Sequence, residues 1–215
     1  YTVDSVFLAP ANPSLVTLYH ATQHQSLVVP GSRLASSLLE EEATRITSVM
    51  RNNGYYNFNR THIAFVADTL TRSNKATLEV HLPGKDTQKV YRIRNIHIFP
   101  GYDPIRAVMD STYLSSMEIH REEGLTYHYE GKSNLRKRVI RNISYLREGD
   151  LYDESKVKTT YNRFSNIRLL NSVTFLFDEV PANELPESMP VDTALVDCTI
   201  RLSPGNSQGY KLNLE

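Results

Sequence analysis

The sequence contains no tryptophan, a single cysteine and no long hydrophobic run, and its 24 basic and 24 acidic residues give a formal net charge of zero. Cys198 alone cannot form an intrachain disulfide, and no cysteine cluster indicates a zinc site. No apolar stretch approaches the roughly 20 residues that span a bilayer as a helix, and no signal peptide is recognisable. With no net charge, the composition gives no reason to expect a nucleic-acid partner. Because the chain opens with Tyr1 rather than Met, we expect a processed or excised piece of a longer protein.

Motifs for catalysis, cofactor binding and metal binding are missing as well. His20 and His24 lie one helical turn apart, but no Glu follows His20 and no third ligand is evident, so we expect no metal site. The chain has no phosphate-binding glycine-rich loop and no nucleophile elbow. Asp103, His120 and Glu122 can be drawn as an acid–base set, but they fall in the least patterned region. We therefore expect no catalytic or cofactor-binding residue; an α+β enzyme with its site in residues 99–130 is the alternative.

The clearest pattern lies in residues 135–177, where two amphipathic helices and a strand follow one another. Residues 149–153 break the two helices apart, and Asp153 is placed to cap the second. The strand shows the period of two that a sheet with one apolar face requires. The apolar positions of the first helix, the second helix and the strand are, in order, Leu135, Val139, Ile140, Ile143 and Leu146; Val157, Tyr161, Phe164 and Ile167; and Val173, Phe175 and Phe177.

The rest of the chain repeats this order of elements. In the first half we expect a strand at 1–8, helices from 14 to 25 and from a cap at Ser32, and strands at 58–67 and 76–82. In the second half we expect strands at 90–98 and 194–202 around the helices. Residues 99–130 read as an insertion with a helix near 107–119 and a strand at 125–129. The predicted domains are therefore 1–85 and 86–203, followed by a linker at 204–215.

With this order established, the residues resemble tandem POTRA (polypeptide-transport-associated) domains of the BamA/TamA outer-membrane assembly family. The segment Glu148-Gly149-Asp150-Leu151-Tyr152-Asp153 is similar to the Gly-Asp-x-Tyr turn of that domain, and Asn171-Ser172-Val173-Thr174-Phe175 is similar to its next strand. Asn53-Gly54-Tyr55-Tyr56-Asn57-Phe58 resembles the helix-to-strand turn of TamA-like proteins of the Bacteroidetes type. Residues 209–215 resemble the entry into a membrane barrel.

The resemblance implies an α+β fold of two tandem β-α-α-β-β units, each a three-stranded mixed sheet with two helices packed on one face. It also implies a non-catalytic module at the periplasmic face of the bacterial outer membrane. The expected partners are unfolded outer-membrane proteins, accessory assembly subunits and the chain's own C-terminal membrane barrel. A POTRA scaffold of two-partner secretion or of cell division is the alternative within the same fold.

In such a module the strand after the second helix lies at a sheet edge, where an extended client can add by main-chain hydrogen bonds, which is called β-augmentation. The simpler interpretation is an edge covered by a neighbouring domain or by solvent. The expected client-binding residues are Ile63, Phe65, Val173, Thr174, Phe175, Leu176 and Phe177.

A basic cluster surrounds the first helix of the second half. A solvated face is the simpler interpretation of this cluster, and docking of anionic lipid headgroups or of an acidic partner is the alternative hypothesis. Its residues are Lys132, Arg136, Lys137, Arg138 and Arg141.

Overall fold

A computed structural model of the chain describes residues 1–69, 74–85, 88–131 and 135–205. The chain divides into two compact units. The first contains Tyr1–Tyr91 together with the later segments Leu151–Glu154 and Ser188–Ala194. The second contains the remainder of the chain from Arg92 onward. The first unit therefore extends past the expected boundary at residue 85, and the expected barrel-entry motif at 209–215 lies outside the described residues.

The first unit has the expected order β-α-α-β-β and a three-stranded sheet. In this sheet β3 lies in the centre, parallel to β1 and antiparallel to β2. Its elements are β1 (Thr2–Leu8), α1 (Pro13–Ala21), α2 (Ser36–Asn52), β2 (Ala64–Asp68) and β3 (Lys75–His81).

Both helices of the first unit pack on one face of this sheet. The Asn12 side chain accepts a hydrogen bond from the Ser14 amide, and Pro13 occupies the first helical position, so α1 begins where a cap and a proline favour it. Because α1 and α2 are amphipathic, their apolar stripes are removed from water against the central strand. The buried residues of the main cluster are Leu15, Tyr19, Ile46, Met50, Tyr55, Phe58, Val80 and Leu82.

The second unit repeats the order and adds an insertion. The insertion follows the first strand of this unit and consists of a short helix and a β-hairpin. The two helices of the repeated order come after it. The elements are β4 (Val90–Phe99), α3 (Pro104–Met109), β5 (Glu118–Glu122), β6 (Leu125–Tyr129), α4 (Lys137–Ile143), α5 (Glu154–Ser165), β7 (Leu170–Glu179) and β8 (Thr193–Pro204).

The sheet of the second unit has five strands in the order β5-β6-β4-β8-β7, rather than the three expected from the sequence. The hairpin joins the sheet through a short parallel pairing of β6 with β4 at His97 and Ile98. Glu123 and Gly124 form its two-residue turn, and both have a positive φ, as a type I′ turn requires. The remaining strands, β4-β8-β7, reproduce the order of the three-stranded sheet.

Matching backbone hydrogen bonds confirm that the two units repeat one design. Gly31 donates to the Val3 carbonyl at 2.7 Å, and the Val3 amide donates to Ser32 at 2.8 Å. In the second unit Gly149 donates to the Ile93 carbonyl at 2.8 Å, and the Ile93 amide donates to Asp150 at 2.9 Å. Both glycines have a positive φ, which explains why glycine stands between the helices in each unit.

Several expected boundaries are wrong, each for a local reason. Ser32 does not cap α2, because its hydroxyl accepts a hydrogen bond from the Val29 amide and the helix begins only at Ser36. Residues 58–63 are not part of a strand: Phe58 is fully buried in the core, and Asn59 caps a single 3-10 turn at Arg60–His62. The first helix ends at Ala21 rather than at Gln25.

In the second unit the inserted helix, the hairpin and the buried face of α5 differ in part from the prediction. The inserted helix is Pro104–Met109 rather than 107–119, because Asp103 accepts hydrogen bonds from the first-turn amides and Pro104 follows it. Strand β6 has the bounds that the sequence predicts, whereas β5 is an additional strand. On α5 the buried positions are Thr160 and Phe164, while Tyr161 is 42% exposed.

Candidate functional site

Strand β2 forms one edge of the first sheet, as expected. It pairs only through one side with β3 in the described part of the chain, with Phe65 opposite Val80 and Val66 opposite Glu79. Side chains alternate along a strand, so Phe65 faces the helices with Val80, whereas Ala64 and Val66 face the other side of the sheet. Val66 is 52% exposed, so its side chain is accessible at this edge.

An apolar cavity of about 500 Å³ lies between α2 and this edge. Ile63 and Phe65, two of the residues expected to bind a client, line the cavity together with Leu39 and Ala43 of α2. Polar groups stand beside these side chains: Arg60 and Glu40 also line the cavity and form an exposed ion pair at 3.9 Å. An exposed pair at this distance contributes little stability, so it presents a weak barrier to an incoming apolar group.

A second cavity, of about 420 Å³, lies beside the same segment. Ala64, His62 and His81 are among its lining residues, with Leu82 and Pro83. Strand β2 therefore has a cavity beside each face at its N-terminal end. A peptide that paired with β2 would place alternate side chains next to one cavity and then the other.

Strand β7 forms the corresponding edge of the second sheet. It pairs with β8 along almost its whole length, with Phe175 opposite Ile200 and Phe177 opposite Cys198. Phe175 packs edge-on against Tyr161 of α5, with ring centroids 5.8 Å apart. The structure thus places Val173, Phe175 and Phe177 half-buried on the helix side. It exposes Thr174 and Leu176 on the opposite side.

The expected basic face lies on α4 and the residue before it. Arg136 and Arg138 are exposed, and Lys132 lies outside the described residues. Lys137 and Arg141 contact acidic side chains: the Lys137 ammonium lies 3.6 Å from Glu122, and Arg141 forms an ion pair with Glu123. These contacts with carboxylates could not be predicted from the sequence, because β5 carries no apolar periodicity that would identify a hairpin.

The residues of the alternative acid–base set have separate local roles. Asp103 caps α3, and its carboxylate accepts from the amides of Ile105 and Arg106. His120 and Glu122 contact one another at 3.5 Å on exposed β5.

The described residues contain neither a metal-binding cluster nor a membrane-spanning helix. Over 1–69, 74–85, 88–131 and 135–205, no group of three His, Cys, Asp or Glu side chains is arranged to hold a metal ion. In the same ranges, none of the helices has the length and apolar character required to cross a bilayer.

Comparison with known proteins identifies the fold. No protein-family model matches the chain, and no curated protein sequence matches it. Haemophilus influenzae BamA POTRA3-5 superposes with a TM-score of 0.54 at 13% identity, over 94% of this chain and 61% of that one. BamA from Haemophilus ducreyi lacking POTRA domains 1-3 superposes with a TM-score of 0.61 at 11% identity, over 96% of this chain and 30% of that one. The chain thus has a POTRA-like α+β fold. It spans less than two thirds of the length of each of these two solved chains.

Proposed function

We propose that this chain is a periplasmic POTRA-type module of an outer-membrane protein of the BamA/TamA kind. Its function would be to bind unfolded outer-membrane proteins or accessory subunits and to position them for barrel insertion or translocation. The observation that carries the proposal is the edge strand β2 with an apolar cavity beside it. The likeness in fold to POTRA domains supports the cellular setting.

Main-chain pairing would supply most of the affinity for a client. Backbone hydrogen bonds are the same for every sequence, so an edge strand suits a factor that meets many clients. The cavities would add selectivity, because the client side chain beside Ile63 and Phe65 would be removed from water only if it is apolar. Transmembrane β-strands alternate apolar and polar side chains, and of the two neighbouring cavities the one lined by Ile63 and Phe65 is the more apolar.

The proposed role is binding without bond chemistry. The carboxylate of Asp103 is engaged at a helix end, and His120 and Glu122 stand on an exposed strand. General acid–base groups act from positions that exclude water and hold a substrate, and this arrangement provides neither. We therefore propose no catalytic role for the insertion.

Site-specific photo-crosslinking tests the proposal. A crosslinking amino acid at Val66 on β2 is presented to an unfolded peptide that corresponds to one strand of a membrane β-barrel. Because Val66 is exposed at the edge, we expect crosslinks there. Thr44, exposed on α2, provides the matched control in the same unit.

A second crosslinking position at Thr174 distinguishes the two edges. Crosslinks at Val66 and few at Thr44 support capture at β2, and additional crosslinks at Thr174 extend capture to β7. Equal crosslinking at Thr44 and Val66, or crosslinks at Thr44 alone, contradicts edge-strand capture.

A further inference from the structure

A small cavity in the second unit has a lining quite unlike that of the cavities beside β2. It measures about 190 Å³, and three of its lining side chains are cationic: Lys137, Arg138 and Arg141 of α4. Tyr127 of β6 and Glu122 of β5 complete the lining. A water molecule has a share of about 30 Å³ in the liquid, so a tetrahedral anion with a few waters fits this volume.

The tyrosines beside the cavity are hydrogen-bond donors at neutral pH. Burial raises the pKa of Tyr127, and burial followed by the nearby Tyr127 and Glu122 raises the pKa of Tyr129 to about 12. The two rings are stacked with centroids 6.0 Å apart, and the Lys137 ammonium lies 5.5 Å from each. These contacts hold the ammonium in place, which reduces the entropy lost when it binds an anion.

The hairpin tip already supplies negative charge to these cations. Glu122 lies 3.6 Å from Lys137, and Glu123 forms an ion pair with Arg141. Both carboxylates are about half exposed, so each pair is screened by water and is worth little. Arg138 lines the same cavity and is exposed. Three cations face two weakly held carboxylates, which leaves an excess of positive charge.

We propose that this cavity binds a phosphate group, either on a phospholipid headgroup or free in solution, and that Glu123 competes with that phosphate for Arg141. A phosphate group carries more acceptor oxygens than a carboxylate, so one phosphate can accept charge-assisted hydrogen bonds from several of these cations at once. The β5–β6 hairpin thus acts as an internal competitor that sets the affinity of the basic face. This proposal is independent of client capture at β2, because it involves other residues in the other unit.

The test measures binding of two probes to the 215-residue chain. Inorganic phosphate is titrated and followed by NMR shifts of the α4 amides. Sedimentation with vesicles of phosphatidylcholine, with or without phosphatidylglycerol, reports on the headgroup. Combined replacement R138A and R141A should weaken binding of the effective probe about tenfold or more, since each arginine contributes charge-assisted hydrogen bonds. The matched control is the combined replacement R163A and R168A, which removes two arginines that do not line the cavity.

The Glu123→Gln variant provides the sharper readout. It should tighten binding of the same probe about threefold, because the competing carboxylate is gone while the hairpin turn is kept. Binding of both probes supports recognition of the phosphate group itself, and binding to phosphatidylglycerol vesicles alone supports the lipid source. Binding of neither probe, equal loss in the R163A and R168A control, or no tightening in Glu123→Gln overturns the proposal.

Discussion

Glu42 of α2 forms hydrogen bonds with Ser26 and Leu27 in the loop between α1 and α2. Its side chain is buried, accepts a hydrogen bond from the Leu27 amide at 2.8 Å and one from the Ser26 hydroxyl at 2.9 Å, and contacts Arg45 at 2.6 Å. Burial alone would raise the pKa of this carboxyl, but the bonds from Arg45, Leu27 and Ser26 outweigh it and lower the pKa. The ionised form is therefore the one that the fold requires.

Glu42→Gln should lower the free energy of unfolding of the first unit by about 3 kcal/mol, because it leaves Arg45 largely buried without its counter-charge. Urea denaturation followed by a probe in the first unit measures the change. Glu41→Gln, at the exposed neighbouring position, should change the same quantity by less than about 0.5 kcal/mol. Equal effects at the two positions would show that Glu42 has no special role.

A pair of histidine side chains, His97 and His128, is a second distinctive local feature. Nδ1 of His97 lies 3.0 Å from Nε2 of His128, and the His128 ring is stacked on Phe99 with centroids 4.3 Å apart. Burial, and next the neighbouring His97, lowers the pKa of His128. The folded state thus favours the neutral ring, whereas the unfolded chain takes up a proton near pH 6.5.

Stability from this pair should be present above about pH 6.5 and lost as the pH falls through the lowered pKa of His128 in the folded state. We expect the melting temperature of the second unit to be lower at pH 5.5 than at pH 7.5. His128→Phe, which keeps an aromatic ring beside Phe99, should reduce this difference, while His120→Gln on exposed β5 should leave it unchanged. An unchanged difference in His128→Phe would refute the assignment to His128.

At the scale of elements, the glycine between the helices anchors each helical pair to the first strand. Gly149 has a φ of +83°, and a Cβ at this position would meet no atom within 4 Å. A substitution therefore tests backbone conformation alone, without steric interference.

Gly149→Ala should destabilise the second unit by about 1–2 kcal/mol, the cost of a left-handed conformation for a residue with a Cβ. Gly101→Ala is the control, since that glycine also has open space around it but lacks a left-handed φ. Chemical denaturation of both variants measures the difference. A Gly149→Ala variant as stable as Gly101→Ala would argue against a conformational requirement.

The apolar cavity beside β2 gives a prediction about client binding. Ile63→Asp should weaken binding of an unfolded barrel-strand peptide about tenfold, because it places a charge where an apolar client side chain would be buried. Ile119→Asp on the exposed edge strand β5 is the matched control and should leave affinity within about twofold. Fluorescence anisotropy of a labelled peptide measures both, after circular dichroism has shown that the variants are folded. Equal losses would place the client elsewhere.

The sequence predicts elements well where one face is buried and poorly where none is. Strand β6 has buried Leu125 and Tyr127, and its bounds agree with the prediction. Strand β5 is exposed at every position, so its sequence contains no signal of burial and the five-stranded sheet could not be predicted. The edge position of β2 was expected from the resemblance to POTRA domains. Its cavity depends on how closely α2 approaches the strand and could not be predicted from residue spacing.

At the scale of the whole molecule, two units of one design differ by an insertion that changes one sheet edge. In the first unit β1 and β2 are the outer strands of the sheet. In the second unit β7 is an outer strand, as β2 is in the first, but β5 is the other outer strand, and β4, the counterpart of β1, lies inside the sheet. The exposed, charged residues of β5 resist pairing with another strand. The insertion thus leaves β7 as the edge of the second sheet that is suited to a client.

Edge pairing at β2 is tested most directly with a barrel-strand peptide that carries N-methyl groups. Methylation on alternate residues removes the amide donors on one side of the peptide and leaves its side chains unchanged. We expect methylation of one alternate set to abolish binding to the chain and methylation of the other set to leave binding intact. The β2 amides should gain protection from hydrogen exchange only with the peptides that bind. Equal binding of both methylated peptides, or protection confined to residues outside β2, would contradict edge pairing at β2.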